Sequence, residues 1–260
     1  MNYGLYLSAS GVLTNMYRQD VFANNLANVN TPGFKPDLPS IRHRDAEAIE
    51  GAAPSEFRNR LLDRIGGGSL AGRQSVSLQR GTIQPTGNPL DLALTAKDSF
   101  LAVRDTDAVT GQQSVRLTRD GRLAVDNQGR LVTQEGLPVL DAADEPIELD
   151  RGVPVQINSD GQVYQNGAAV AQIQVTGVRD TEALVKQGGN LLWFAGGRDL
   201  RGPAADASVQ PRHTEASAVD PIRALMQLVS STRAVTDNGN MIRYHDLVMD
   251  KAVNVLGRVG

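Results

Sequence analysis

The sequence predicts a mainly β middle domain of short hairpins, with N- and C-terminal α-helices that pair in a coiled-coil-like domain. Two observations carry this reading. Apolar residues recur at near-heptad spacing at both ends of the chain, and between them the spacing changes to alternation broken by Gly-containing turns. The expected division is an N-terminal helix at 1–33, a linker and extended segment at 34–74, a β-rich body at 75–205, a return linker at 206–219 and a C-terminal helix at 220–260.

In the first element Leu5, Ala9, Val12, Met16, Gln19, Ala23 and Leu26 alternate steps of four and three, which draws a narrow seam for another helix, with Gln19 as a polar interruption. The helix stops at Asn30-Thr31-Pro32-Gly33, where Pro32 presets a turn and Gly33 supplies positive φ. Asparagine competes with helical backbone bonding, so Asn24, Asn25 and Asn28 ahead of that turn have no local explanation.

Between 34 and 74 the signal fades. "PSEFRNRLLDRI" can form a short helix, and "GGGSLAG" at 66–72 reads as a flexible or tightly turning segment. It lacks a preceding strand and a following Lys-Ser/Thr, so it is not a phosphate loop. From residue 75 the pattern is that of strands: Leu90, Leu92 and Leu94 share one face, and turns fall at Asp120-Gly121, Gln128-Gly129, Glu135-Gly136, Asp160-Gly161 and Asn166-Gly167. The last element starts at Asp220, a cap acceptor, and Pro221, which suits the first helical position. Leu228, Val235, Ile242, Met249 and Leu256 then recur every seven residues. Thr232, Gly239 and Asp246 repeat at another phase, and a seam this thin does not order a lone helix.

Composition excludes several functions. Net charge is −3, and five arginines between 41 and 65 face five acids, so no basic field for nucleic acid exists. No run reaches transmembrane length, and the opening "MNYGLYLSASG" lacks a signal-peptide pattern. Cysteine is absent, which removes thiolate chemistry, and no serine sits in a Gly-x-Ser-x-Gly elbow. His43, His213 and His245 show no metal-ligand spacing, and Asp105 and Asp107 lack a full calcium loop. No catalytic residue, metal or cofactor is expected. Aromatic residues make up 4% of the chain, which argues against a sugar cleft. A secreted β-domain carbohydrate-active enzyme or a ligand-binding module is the alternative, and either requires a defined groove.

"NNLANVNTPGFK" (24–35), "RGTIQPTGNPLDLAL" (80–94) and "TRDGRLAVDNQGRLVTQEGLPVL" (118–140) resemble, in that order, three segments of the bacterial flagellar rod and hook family. The resemblance covers nearly the whole chain, whose length is similar to that of the rod members. It places Asn24, Asn25, Leu26, Asn28, Thr31, Gly33 and Phe34 in the N-terminal signature and Gly87, Asn88, Leu90 and Asp91 in the middle block. Arg119, Gly121, Gly129 and Gly136 match the hairpin block, and Glu215, Ser217, Val219, Arg233 and Asn238 match the terminal pattern. The chain departs from that pattern at Ala218, at Val235–Asp237, at Lys97–Phe100 and at Leu117.

The resemblance implies a non-enzymatic subunit of the basal-body rod, a tubular drive shaft that crosses the periplasm and carries torque from motor to hook, with the distal rod favoured over the proximal. Terminal helices would line an axial tube, with the β domain outside. Implied partners are copies of itself, neighbouring rod and hook subunits, the flagellar export apparatus that passes the chain without a cleavable signal, and the rings around the rod. The expected assembly residues are Leu5, Val12, Met16, Asn24, Asn25, Leu26, Asn28, Gly33, Phe34, Leu228, Val235, Ile242, Met249 and Leu256.

Overall fold

The structure is a computed structural model that describes residues 3–45, 66–106, 111, 113–195, 199–204 and 208–254. It consists of two compact units. One gathers residues 1–26, 37–74 and 220–260, and the other residues 27–36 and 75–219. The possible short helix at 54–65 and the seam residue Leu256 lie outside the described residues.

The first unit holds the two long helices, α1 (Tyr3–Ala27) and α2 (Pro221–Asn254). The Asp220 carboxylate caps α2 by accepting from the N–H groups of Ile222 (3.0 Å) and Arg223 (3.1 Å), which satisfies donors that the first helical turn leaves free. The glycine-rich stretch at 66–72 is more regular than its composition suggests. Ser69–Ala71 of the glycine-rich stretch is a strand, paired antiparallel with Ile41–His43. Helix α1 fastens it: the Tyr3 hydroxyl donates to Gly66 O (3.0 Å), the Tyr17 hydroxyl to Gly72 O (3.2 Å), and the Thr14 hydroxyl lies 3.2 Å from Ser69 O. Glycine suits this place because any side chain on Gly68 would strike Ser10. What reads as a flexible stretch at 66–72 is a backbone ribbon held by helix hydroxyls.

The second unit is built from antiparallel strands. Its largest sheet has six, in the order Leu184–Gly188, Leu191–Phe194, Gln113–Thr118, Ser99–Thr106, Val175–Val178, Arg201–Pro203. Ser99–Thr106 is central and buried on both faces. Its Leu101 and Val103 join Leu92, Leu94, Leu131, Val139 and Ile173 in one apolar cluster, while Phe100 joins Leu117, Leu184, Leu192 and Phe194 in another. The alternation of the strand thus feeds two cores.

Hairpins surround this sheet. Leu123–Val125 pairs with Leu131–Thr133, and Val155–Ile157, Gln162–Gln165 and Ala168–Gln172 form a three-stranded meander. Positive φ at Gly129 (84°), Gly136 (83°) and Gly161 (82°), and at Asn166 (52°) with Gly167 (79°), places turns where the sequence predicts them. Asp120-Gly121 differs. Gly121 is not in the left-handed region; it is glycine because a Cβ there would collide with the Leu92 carbonyl.

The return segment adds two strands to this unit. Val209–Pro211 pairs with Leu92–Leu94, and His213–Glu215 pairs with Ile83–Pro85. The body therefore includes residues up to Val219, together with the short stretch 27–36. Limited proteolysis of the monomer is expected to leave a core that runs to about residue 219 and retains 27–36 as a nicked, bound peptide, as mass measurement of the isolated core would show. A stable core ending before Val209 would contradict this boundary.

Candidate functional site

The residues that end α1 explain the run of asparagines. The Asn25 side-chain amide pairs with the backbone of Asp37, donating to its carbonyl (2.8 Å) and accepting from its N–H (2.9 Å). Asn24 Nδ2 lies 3.4 Å from the Asp37 carboxylate, and Asn28 accepts from the Thr31 hydroxyl (3.1 Å). An amide offers a donor and an acceptor side by side, which is what an unpaired peptide group needs. These side chains fold the chain back at the helix end.

The turn itself is tightly seated. Gly33 has φ of 68°, and a Cβ on it would fall inside the Arg119–Asp120 peptide. Its N–H donates to Glu215 O at 2.8 Å. Phe34 is buried, with the Lys186 ammonium 3.7 Å from its ring centroid, and its carbonyl accepts from Ala218 N–H at 3.0 Å.

Beneath the turn lies a buried cluster of charge. The Glu215 carboxylate, 2% exposed as a residue, accepts from Lys35 Nζ (2.7 Å) and Gly81 N–H (2.7 Å) through Oε1, and from Arg119 Nε (2.9 Å) through Oε2. Lys35 also donates to Gln79 O (2.8 Å), and Arg119 Nη1 donates to Ala96 O (2.6 Å) and Ser99 O (2.5 Å). Four segments far apart in sequence meet on one carboxylate. Burial pushes the Lys35 ammonium below its ordinary range, and the nearby Arg119 adds to this while Glu215 opposes it. Burial lowers Arg119 in the same way, again against Glu215. Two cations share one anion, so Glu215 is the group that makes their burial tolerable.

The remaining expected residues occupy the helices. Leu5, Val12 and Leu26 of α1 and Leu228, Val235 and Ile242 of α2 are half-buried. Met16 (48% exposed) and Met249 (44%) are open to solvent on this single chain. The sequence reading of assembly residues omitted Lys35, Arg119 and Glu215. The only signal for them was their place inside the family-like blocks, since no local pattern announces a partner as much as 180 residues away.

Among the described residues no three His, Cys, Asp or Glu side chains gather as a metal site, and no described helix is long and apolar enough to cross a membrane. A cleft of about 650 Å³ is lined by Gln172, Gln174, Arg179, Asp199 and Arg201 among others. Its carboxylate Asp199 and the neighbouring Asp144 both pair with Arg201, at 2.8 and 2.7 Å, and those hydrogen bonds hold each below the usual carboxylate range. Carboxylates held ionised in this way are unsuited to donating a proton to a glycosidic oxygen.

Comparison with known proteins fits this geometry. Residues 5–35 match the profile of the flagella basal body rod protein family, and residues 98–165 that of the flagellar hook protein FlgE/F/G D1 domain. The flagellar basal-body rod protein FlgF of Caulobacter vibrioides is 30% identical over 263 aligned residues, covering 100% of both chains. The chain belongs to the flagellar basal-body rod protein family. The FlgF of Mesorhizobium japonicum is 29% identical with 99% of each chain covered, and the Caulobacter FlgG is 28% identical with 94% of this chain and 96% of its own covered. These relatives are named as rod proteins and not as enzymes. The clasp joins the two matched segments of this family chain, Lys35 from one and Arg119 from the other, through Glu215, which lies outside both.

Glu215→Gln leaves two buried cations without a counter-charge, a change that typically costs about 3–5 kcal/mol. For a unit of this size that corresponds to a Tm fall of roughly 6–20 °C. Lys35→Met, which keeps the Arg119–Glu215 pair, is expected to cost less, and Gly33→Val is expected to destabilise because it combines strain with a backbone collision. Thermal melts of the full chain check all three; a Glu215→Gln melt within a degree or so of wild type would refute the clasp.

Proposed function

We propose that this chain is a structural subunit of the flagellar rod that polymerises into a tubular shaft and transmits torque from motor to hook. The observation that carries the reading is the surface of the terminal helices. Only Ala224 and Ser231 are buried along the 34 residues of α2, while Ile222 (71%), Met226 (68%) and Tyr244 (63%) stand in solvent with Leu225, Leu247 and Val248. Tyr6, Leu13 and Met16 do the same on α1. A long helix with this much apolar surface is stable in water only when neighbours cover it, and a heterologous contact repeated about an axis extends into a filament.

In this reading the half-buried series Leu228, Val235 and Ile242 lies in the seam of a coiled-coil-like axial domain, and the exposed residues Met16 and Met249 meet neighbouring copies. The β-rich unit supplies lateral contacts that resist torsion. Its clasp suits that role, because buried, many-sided hydrogen bonding resists deformation better than a solvated loop does. Export through the flagellar secretion apparatus and passage within the surrounding rings follow from the same assignment, as does location in the periplasmic part of the basal body. The distal end of the rod is the position favoured from sequence. Relatives of both names support a rod position, since FlgF and FlgG proteins align with nearly all of the chain.

Ile242→Asp places a carboxylate in the half-buried seam. In the isolated chain it should cost on the order of 1–2 kcal/mol, less than at a fully buried site, and leave the β-unit melt unchanged. Rod incorporation, scored by complementation and electron microscopy, should be lost. Incorporation at wild-type abundance would exclude this residue from the assembly seam. Expression in one host lacking its FlgG protein and another lacking FlgF decides the position, with rescue of the FlgG-deficient host expected for a distal subunit. Rescue of only the FlgF-deficient host would reverse that choice. A soluble ligand-binding module would rescue neither.

A further inference from the structure

The contacts between α1 and α2 follow a pattern that hydrophobic spacing does not anticipate. Gly4 and Gly11 stand seven residues apart on α1, and His245 and Asn238 stand seven apart in the opposite order on α2. A Cβ on Gly4 would lie 2.7 Å from Cε1 and 2.8 Å from Nε2 of His245. A Cβ on Gly11 would lie 2.8 Å from Oδ1 and 3.1 Å from Cγ of Asn238. Side chains do not approach a real Cβ so closely, so each glycine is a notch occupied by a side chain of the other helix.

The occupant of the second notch is held in place. Asn238 Nδ2 donates to Ala234 O at 2.8 Å, which keeps its Oδ1 turned toward Gly11. The Gly11 carbonyl is itself taken by Asn15 Nδ2 at 2.8 Å. Going back along α2 by sevens from Asn238 gives Ser231 and Ala224, the two buried residues of the helix. The buried positions of α2 thus share one heptad phase with Asn238 and are small. The same α2 offers a contrast in Gly239, where an added Cβ meets nothing within 4 Å.

We infer that Gly4 and Gly11 are register notches that receive His245 and Asn238, and that they fix the antiparallel alignment of this chain's own terminal helices. A slip of one heptad in one direction sets the larger His245 ring against Gly11 and leaves Gly4 opposite Ala252, with nothing to fill it. The apolar series on α2 repeats every seven residues and tolerates such slips equally well, so the notches select one register from several that burial alone would permit. They also distinguish the chain's own C-terminal helix from one without side chains of these sizes at these positions.

Glycine-to-alanine exchange tests this through its sign. In an open helix interior alanine raises helix stability, so Gly239→Ala in the full chain is expected to raise helical content and the melting temperature of the helical signal. Gly11→Ala is expected to give no such gain, and Gly11→Ala with Asn238→Ala is expected to recover it. A gain from Gly11→Ala equal to that from Gly239→Ala would overturn the inference. Register is read separately, because the chain has no native cysteine. Under mild oxidation Gly11→Cys/Asn238→Cys should close an intrachain disulfide at least about tenfold faster than the slipped pair Gly4→Cys/Asn238→Cys, since bonding demands Cα atoms within about 7 Å. Equal rates, or a disulfide-linked dimer as the main product, would refute an intrachain register lock.

Discussion

The fold of the larger unit depends on the solvation of one carboxylate. Glu215 has left water for a site where every direction is filled by a donor: an ammonium, a guanidinium and a peptide N–H. Desolvating such a group costs several kcal/mol, and the cost is offset only when all partners are in place together. Those partners come from residues 35, 81 and 119, so the carboxylate is satisfied only in the native topology. The same residue's carbonyl accepts from Gly33. The sharp turn after α1, the strand that precedes α2 and the entry to the central sheet are therefore one cooperative object, in which a fault at any segment is felt at the others.

This coupling explains which features were legible in the sequence. Hairpins were legible because their causes are local: Asn166-Gly167 and Gln128-Gly129 carry the turn geometry within two residues, and alternation reports burial strand by strand. The positive φ of Gly33 was legible for the same reason. Glu215, Lys35 and Arg119 were not, because each looks like an ordinary surface charge until residues up to 180 positions away are brought beside it. The glycine-rich stretch at 66–72 misled for a related reason. Its composition signals flexibility, yet hydroxyls from Tyr3, Thr14 and Tyr17, more than 50 residues earlier, bind it as a strand.

The asparagines show a middle case. Their oddity inside an apolar run was visible, and it pointed correctly away from core packing. The partner was not visible, because Asn25 reads the backbone of Asp37, which carries no residue-type information. Heptad spacing was likewise informative about the existence of both helices and less so about the surface they share. On α2 the apolar series Leu228, Val235 and Ile242 is half-buried, while the buried positions are Ala224 and Ser231. Hydrophobic periodicity detects large side chains and passes over small buried ones and glycines that a polar side chain fills.

A consequence for assembly follows from that division of surfaces. If the terminal helices had spent their largest apolar residues on one another, the single chain would be more stable and would have little left to offer a neighbour. They are matched instead by shape, glycine against asparagine and histidine, with modest burial. Steric fit of this kind specifies register without consuming much apolar area, so residues such as Ile222, Met226, Tyr244 and Leu247 remain in solvent. Such a surface is a liability for a protein that stays alone and an asset for one that joins a filament, where each added copy removes it from water. The β-rich unit holds its own two apolar cores and its buried clasp, and so does not draw on that surface for its stability. One part of the chain can then await its neighbours while the other is already folded.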